Sequence, residues 1–165
     1  MAKQDTFTSD EWTLLRLAPS FVAVGISAAD PSGLYLSIKE VIAGTNEVIA
    51  TLDANSGLEL FSALAADHSL VDVPDLKALV GEGSNEQQMQ NFKYATLEHV
   101  KAATAILARK ASLAESDAYR RLLMSVARKT ANAAKEGGFL GLGGVRVSAK
   151  EQLFINAVSR AAGID

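Results

Sequence analysis

The chain reads as an all-α, single-domain helical bundle of about six or seven helices. Three observations predict that class. First, 48% of its 165 residues are hydrophobic, enough for a core of its own at this length. Second, helix-start signatures recur from one end of the chain to the other. Third, strand signals are confined to two short alternating segments, Leu34-Tyr35-Leu36 and Val145-Arg146-Val147.

The starts are capping boxes, in which a Ser or Thr side chain takes the amide three residues on and a Glu or Gln there reaches back. The pattern occurs at Thr8/Glu11, Ser37/Glu40, Ser56/Glu59, Ser84/Gln87, Ser112/Glu115 and Ser148/Glu151. Phe7 and Trp12 stand at hydrophobic-staple spacing around the first of them. From these starts the helices fall at about 9–29, 38–53, 57–67, 85–111, 113–136 and 149–162. Pro19 bends the first, Gly44 interrupts the second, and a short piece follows Pro74. Gly137-Gly138 and Gly163 stop the last two. Phe92, Val100, Ala103 and Leu107 recur at helical intervals, as do Tyr119, Leu122, Val126 and Thr130. Leu17 to Ala29 is the longest run of low charge. It is too short for a membrane span and reads as a buried core helix.

Residues 1–165 form one domain, with pseudo-repeat halves 8–80 and 84–165 about the Gly81-Glu82-Gly83 hinge. The repeat rests on two runs. One is Asp30-Pro31-Ser32-Gly33-Leu34-Tyr35-Leu36-Ser37-Ile38-Lys39-Glu40, and the other is Gly143-Gly144-Val145-Arg146-Val147-Ser148-Ala149-Lys150-Glu151. Each goes from a glycine loop through apolar–x–apolar to Ser-x-Lys-Glu, where a helix opens. The expected geometry sets 34–36 beside 145–147 as a tiny two-stranded ladder.

Charge divides along the same line. The net charge is -3, but residues 1–80 carry four basic and eleven acidic side chains and residues 81–165 carry twelve and eight. The preferred reading is that the halves attract each other. The sharper one sends the basic half to an anionic partner. No signal peptide is expected at Met1–Asp5. The absence of cysteine excludes thiolate chemistry and fits a reducing, cytoplasmic setting.

Candidate chemistry is sparse. The glycines of the paired loops, Gly33, Gly138, Gly141, Gly143 and Gly144, permit close backbone approach to a ligand such as an anion. Asp30, Glu40 and Glu151 are the acids the repeat would gather there, as a carboxylate-lined metal or ligand site. Against that, Glu40 and Glu151 are explained as helix caps, and Phe139, Leu140 and Leu142 suit a structural lid. The loop lacks the GK[ST] of a P-loop. With only His68 and His99, no Glu-x-x-His of a di-iron bundle exists. No nucleophile elbow or triad is present, so no catalytic residue is named and no cofactor is expected. Arg121, Arg128 and Lys135 fall seven apart on one helix face. They are candidates for an anionic partner, with peripheral membrane contact ahead of nucleic acid because Tyr119 is the only aromatic nearby.

The Gly-Val-Arg-Val-Ser-Ala-Lys-Glu run at 144–151, with the amphipathic helix that follows it to Gly163, resembles part of a tellurite-resistance TerB-like domain. Asp30 to Glu40 is similar, with extra residues, and Gly143 stands where that family has an acid. The resemblance implies an all-helical bacterial domain acting as a stress-associated or membrane-complex scaffold. The residues themselves favour a non-enzymatic interaction protein that self-associates or meets another protein. A small-ligand or metal binder using the loops, and a binder of anionic membrane or nucleic acid, are the alternatives.

Overall fold

The computed structural model describes residues 2–29, 38–67, 80–133 and 147–164. It is an all-α bundle, and among the described residues there is no strand. Among the described residues a 3₁₀ turn, Gln4–Thr6, precedes six helices: α1 Ser9–Ser27, α2 Ile38–Ala54, α3 Glu59–Ala66, α4 Asn85–Lys110, α5 Leu113–Ala133 and α6 Ala149–Ala161.

The local signals hold where the cap lies within one turn. Thr8, Ser84 and Ser148 each accept the amide three residues on, and Glu11, Gln87 and Glu151 reach back. Ser112 and Glu115 do the same, with Ser112 N donating to Glu115 Oε2 at 2.9 Å. The Phe7 and Trp12 rings lie 5.8 Å apart, as the staple requires. At the far end of α6 the amides of Gly163 and Ile164 bond back to Arg160 and Ser159 carbonyls. This is a Schellman stop, and Gly163 takes the positive φ of 71° that the motif needs.

Two expectations are corrected. Gly44 does not interrupt α2, which is continuous through it. A Cβ there would lie 2.8 Å from Ala23 Cβ and 2.7 Å from Thr130 Oγ1, so the missing side chain is what lets α2 sit against α1 and α5. The Ser56/Glu59 box does not form: α3 starts two residues later with Leu58 as its N-cap and no local side-chain cap. The Ser37/Glu40 box, the piece after Pro74, the glycine stop at 137–138 and the ladder between 34–36 and 145–147 lie outside the described residues.

α1 is the central helix. Residues 21–27 are all buried, so its second half has no solvent face, as expected of the Leu17–Ala29 run. Pro19 removes the amide that would bond Leu15 carbonyl. The Tyr119 hydroxyl fills that place, donating to Leu15 O at 2.6 Å from a fully buried ring. The directions of the helices follow from such contacts. Leu15 meets Tyr119 and Ala23 approaches Thr130 across Gly44, so α1 and α5 run the same way. α2 runs against α5, since Gly44 faces Thr130 while Glu47 meets Ser125. α6 also runs against α5: Phe154 packs on Gly25 near one end, and Ala162 O accepts from Arg120 Nε at the other.

Candidate interaction surface

One buried carboxylate organises the end of the bundle where α1, α3 and α5 begin. Glu115 is fully buried. Its oxygens accept from Ala2 N at 3.0 and 3.3 Å, Leu60 N at 3.2 Å, Ser112 N at 2.9 Å and Ser112 Oγ at 2.8 Å. Burial pushes its carboxyl pKa up, but these donors outweigh that and hold it below the usual value. Leu60 belongs to the first turn of α3. Its amide is therefore capped from α5. Close by, Trp12 Nε1 donates to Asp67 Oδ2 at 2.7 Å, and Lys110 pairs with Glu11 at 2.5 Å. The Lys110 hydrogen bond holds the Glu11 carboxyl below its ordinary range.

The structure separates the sequence-predicted site residues. Glu151 is buried and serves its own helix start, with Ser148 N donating to it at 2.7 Å. Glu40 is half-buried in the first turn of α2. The helix directions set the starts of α2 and α6 at the same end as the far ends of α1 and α5. Two buried hydroxyls toward that end, Ser27 Oγ and Thr130 Oγ1, have no hydrogen-bond partner among the described residues. Asp30, Gly33, Lys135, Gly138, Gly141, Gly143 and Gly144 lie outside the described residues. Among the described residues, no group of three His, Asp or Glu side chains is placed to hold a metal ion.

Arg121 and Arg128 are exposed on α5 and make no ion pair among the described residues. Arg128 borders a groove of about 260 Å³ between α5 and α6, lined also by Met124, Asn132, Gln152, Ile155 and Asn156. Other basic side chains turn to the acidic half. Besides the Lys110–Glu11 pair, Lys129 approaches Glu47 at 4.0 Å, and Glu47 accepts from the Ser125 hydroxyl. On α4, burial lowers the His99 pKa; its ring stacks on Phe21 with centroids 4.0 Å apart.

The feature that sequence reasoning missed is the outer face of α2. Ile42 and Ile49 are 52% and 46% exposed, while Val48 and Leu52 of the same helix are buried. Exposed Asn46 lies between the two isoleucines, and exposed Asp53 follows one turn on. A signal was present: Val41/Val48 and Ile42/Ile49 form two adjacent heptad-spaced rows, a wider apolar band than one buried face needs. Among the described residues, Tyr94, Leu113 and Leu153 are the other large exposed apolar side chains, one on each of α4, α5 and α6.

Among the described residues no helix is long and apolar enough to cross a membrane. Comparison of the chain with family models, with curated proteins and with solved structures brings no match.

Proposed function

We propose that the protein is a non-enzymatic helical interaction module that self-associates through the outer face of α2. The supporting observation is the Ile42/Ile49 row, two large aliphatic side chains left in water one heptad apart on a regular helix. Such a row is self-complementary. When two copies of α2 lie antiparallel about a two-fold axis, Ile42 of one meets Ile49 of the other, with the Asn46 side chains near the axis. A homodimer so formed would supply the rigid scaffold role that the TerB-like resemblance implies. Light scattering over a concentration series tests this. The wild type should reach a dimer, and Ile42→Glu with Ile49→Glu should return it to a monomer with unchanged helix content. A wild type that stays monomeric throughout, or a double variant that still dimerises, overturns the reading.

A second reading, a small-ligand binder, is favoured by one observation. The starts of α2 and α6 share an end with the buried, unpartnered hydroxyls of Ser27 and Thr130, and buried polar groups ordinarily find partners. A thermal-shift screen of polar metabolites and inorganic anions should then find a stabiliser whose effect is lost in Thr130→Val. A flat screen, or an unchanged shift in that variant, removes it.

A further inference from the structure

We infer that residues 2–7 are a detachable strap, clamped by the Glu115 carboxylate onto an apolar seat between α1, α3 and α5, and that neutralising this carboxylate opens the strap while the helices stay folded. Ala2 is fully buried and Phe7 nearly so, both within the main hydrophobic core, yet Lys3 to Thr6 between them are exposed. The segment is thus held at two points. At the Ala2 end the attachment is the pair of bonds from its amide to both Glu115 oxygens. At the other end Phe7 lies beside Trp12, and Lys110 Nζ donates to Thr6 O at 3.2 Å. The strap's internal hydrogen bonds are the two of its 3₁₀ turn, Thr6 N to Lys3 O and Phe7 N to Gln4 O, and the local bond from Lys3 N to Thr6 Oγ1 at 3.1 Å. A segment with so little bonding of its own opens at a lower free energy than the core it covers.

The clamp depends on charge because every group bonded to Glu115 is a donor. A carboxylate offers lone pairs to all of them. A protonated acid or a primary amide has hydrogen on one side, which the Ser112 hydroxyl can accept but the amides of Ala2, Leu60 and Ser112 cannot, so the three amides compete for a single acceptor oxygen and one is left unpaired in a dry site. The Ser112 bonds lie within one helical turn and re-form locally. The Ala2 bonds span the chain and hold only the strap, so they are the ones released. Ionisable side chains on the surrounding elements are Lys3 and Asp5 on the strap, Glu11 paired with Lys110, Glu59 on α3 and Asp117 on α5. The largest influences on the carboxyl are burial, which raises its pKa, and the hydrogen bonds from Ser112, Ala2 and Leu60, which lower it. Because the folded carboxyl is held low, the clamp is intact above the ordinary carboxylate range and is lost as pH falls through the folded value.

Trp12 is the only tryptophan and touches the strap through Phe7, so it reports opening directly. The experiment compares Trp12 fluorescence and amide exchange of residues 2–7 with far-UV circular dichroism. Glu115→Gln at neutral pH should red-shift Trp12 and speed exchange of the strap by about tenfold or more, with the helical signal retained. Acidified wild type should show the same Trp12 shift before it loses helix. Ala2→Asp keeps Glu115 and its other bonds but cannot re-enter the buried site. It should open the strap in the same way, and it serves as the test if Glu115→Gln does not fold. Wild-type fluorescence and exchange in Glu115→Gln, or in Ala2→Asp, overturn the inference. So does an acid transition in which Trp12 and the helical signal move together.

Discussion

The boxes at Ser112/Glu115 and Ser148/Glu151 are the same four-residue signal, and both glutamates end up buried. Their reach differs. Glu151 is bonded to Ser148, at the start of its own helix. Glu115 does that and also takes the amides of Ala2 and Leu60, which lie 113 and 55 residues away in sequence. A capping motif therefore specifies a bond within one turn. Whether the same carboxylate becomes a tertiary anchor is decided by what packs beside it.

Four substitutions break or sharpen that contrast. The largest effect belongs to Glu115→Ala, which strands the buried amides of Ala2 and Leu60 and the part-buried amide of Ser112. At roughly 1 kcal/mol or more for each, urea unfolding should show a loss of about 3 kcal/mol or more. Gly44→Ala tests an anchor made of close approach instead of charge. Helix propensity gains up to about 1 kcal/mol, but the new methyl meets Ala23 and Thr130 on two other helices, so the melting curve should show a net loss of about 1–3 kcal/mol. Tyr119→Phe leaves Leu15 carbonyl without a donor and should cost about 1–2 kcal/mol by the same measurement. Glu151→Gln, the local counterpart, keeps an acceptor and should cost under about 1 kcal/mol. If Glu151→Gln proved as damaging as Glu115→Ala, the contrast between the boxes would be gone.

A pH series separates the carboxylates from the histidine. His99 is held below its ordinary value of 6.5 by burial, so the unfolded chain binds the proton more readily. Stability should decline gently as pH falls through that region, and the decline should be absent in His99→Gln. The loss tied to Glu115 comes lower: it begins as pH falls into the ordinary carboxylate range and runs on through the folded value beneath it.

The same distinction explains what is legible in the sequence. The boxes at Thr8, Ser84, Ser112 and Ser148 can be read because both partners stand three residues apart. Ser56 misleads because α3 opens from Leu58 instead, and the amide of Leu60 in its first turn has its partner on another helix, a pairing no local pattern encodes. Gly44 reads as a break because glycine weakens a helix locally. The reason for it, the approach of Ala23 and Thr130, emerges only when three helices meet. The buried run in α1 is legible because a helix uncharged over that length has almost no side chains that gain from facing water. The outer row of α2 shows in the sequence only as a second heptad-spaced row beside Val41/Val48; which row faces water is settled when Val48 and Leu52 are seen to fill the core.

Pro19 and Tyr119 carry a consequence for how this chain can change. The proline leaves a carbonyl empty and the phenol occupies it, so each residue sets the value of the other. With Ala at 19 the helix closes its own bond, and the Tyr119 hydroxyl must share the Leu15 carbonyl with that amide. Replacing either alone is costly, whereas Pro19→Ala joined to Tyr119→Phe removes both demands together. The pair is epistatic, and a stabilised variant of this protein is reached by moving the two as one step.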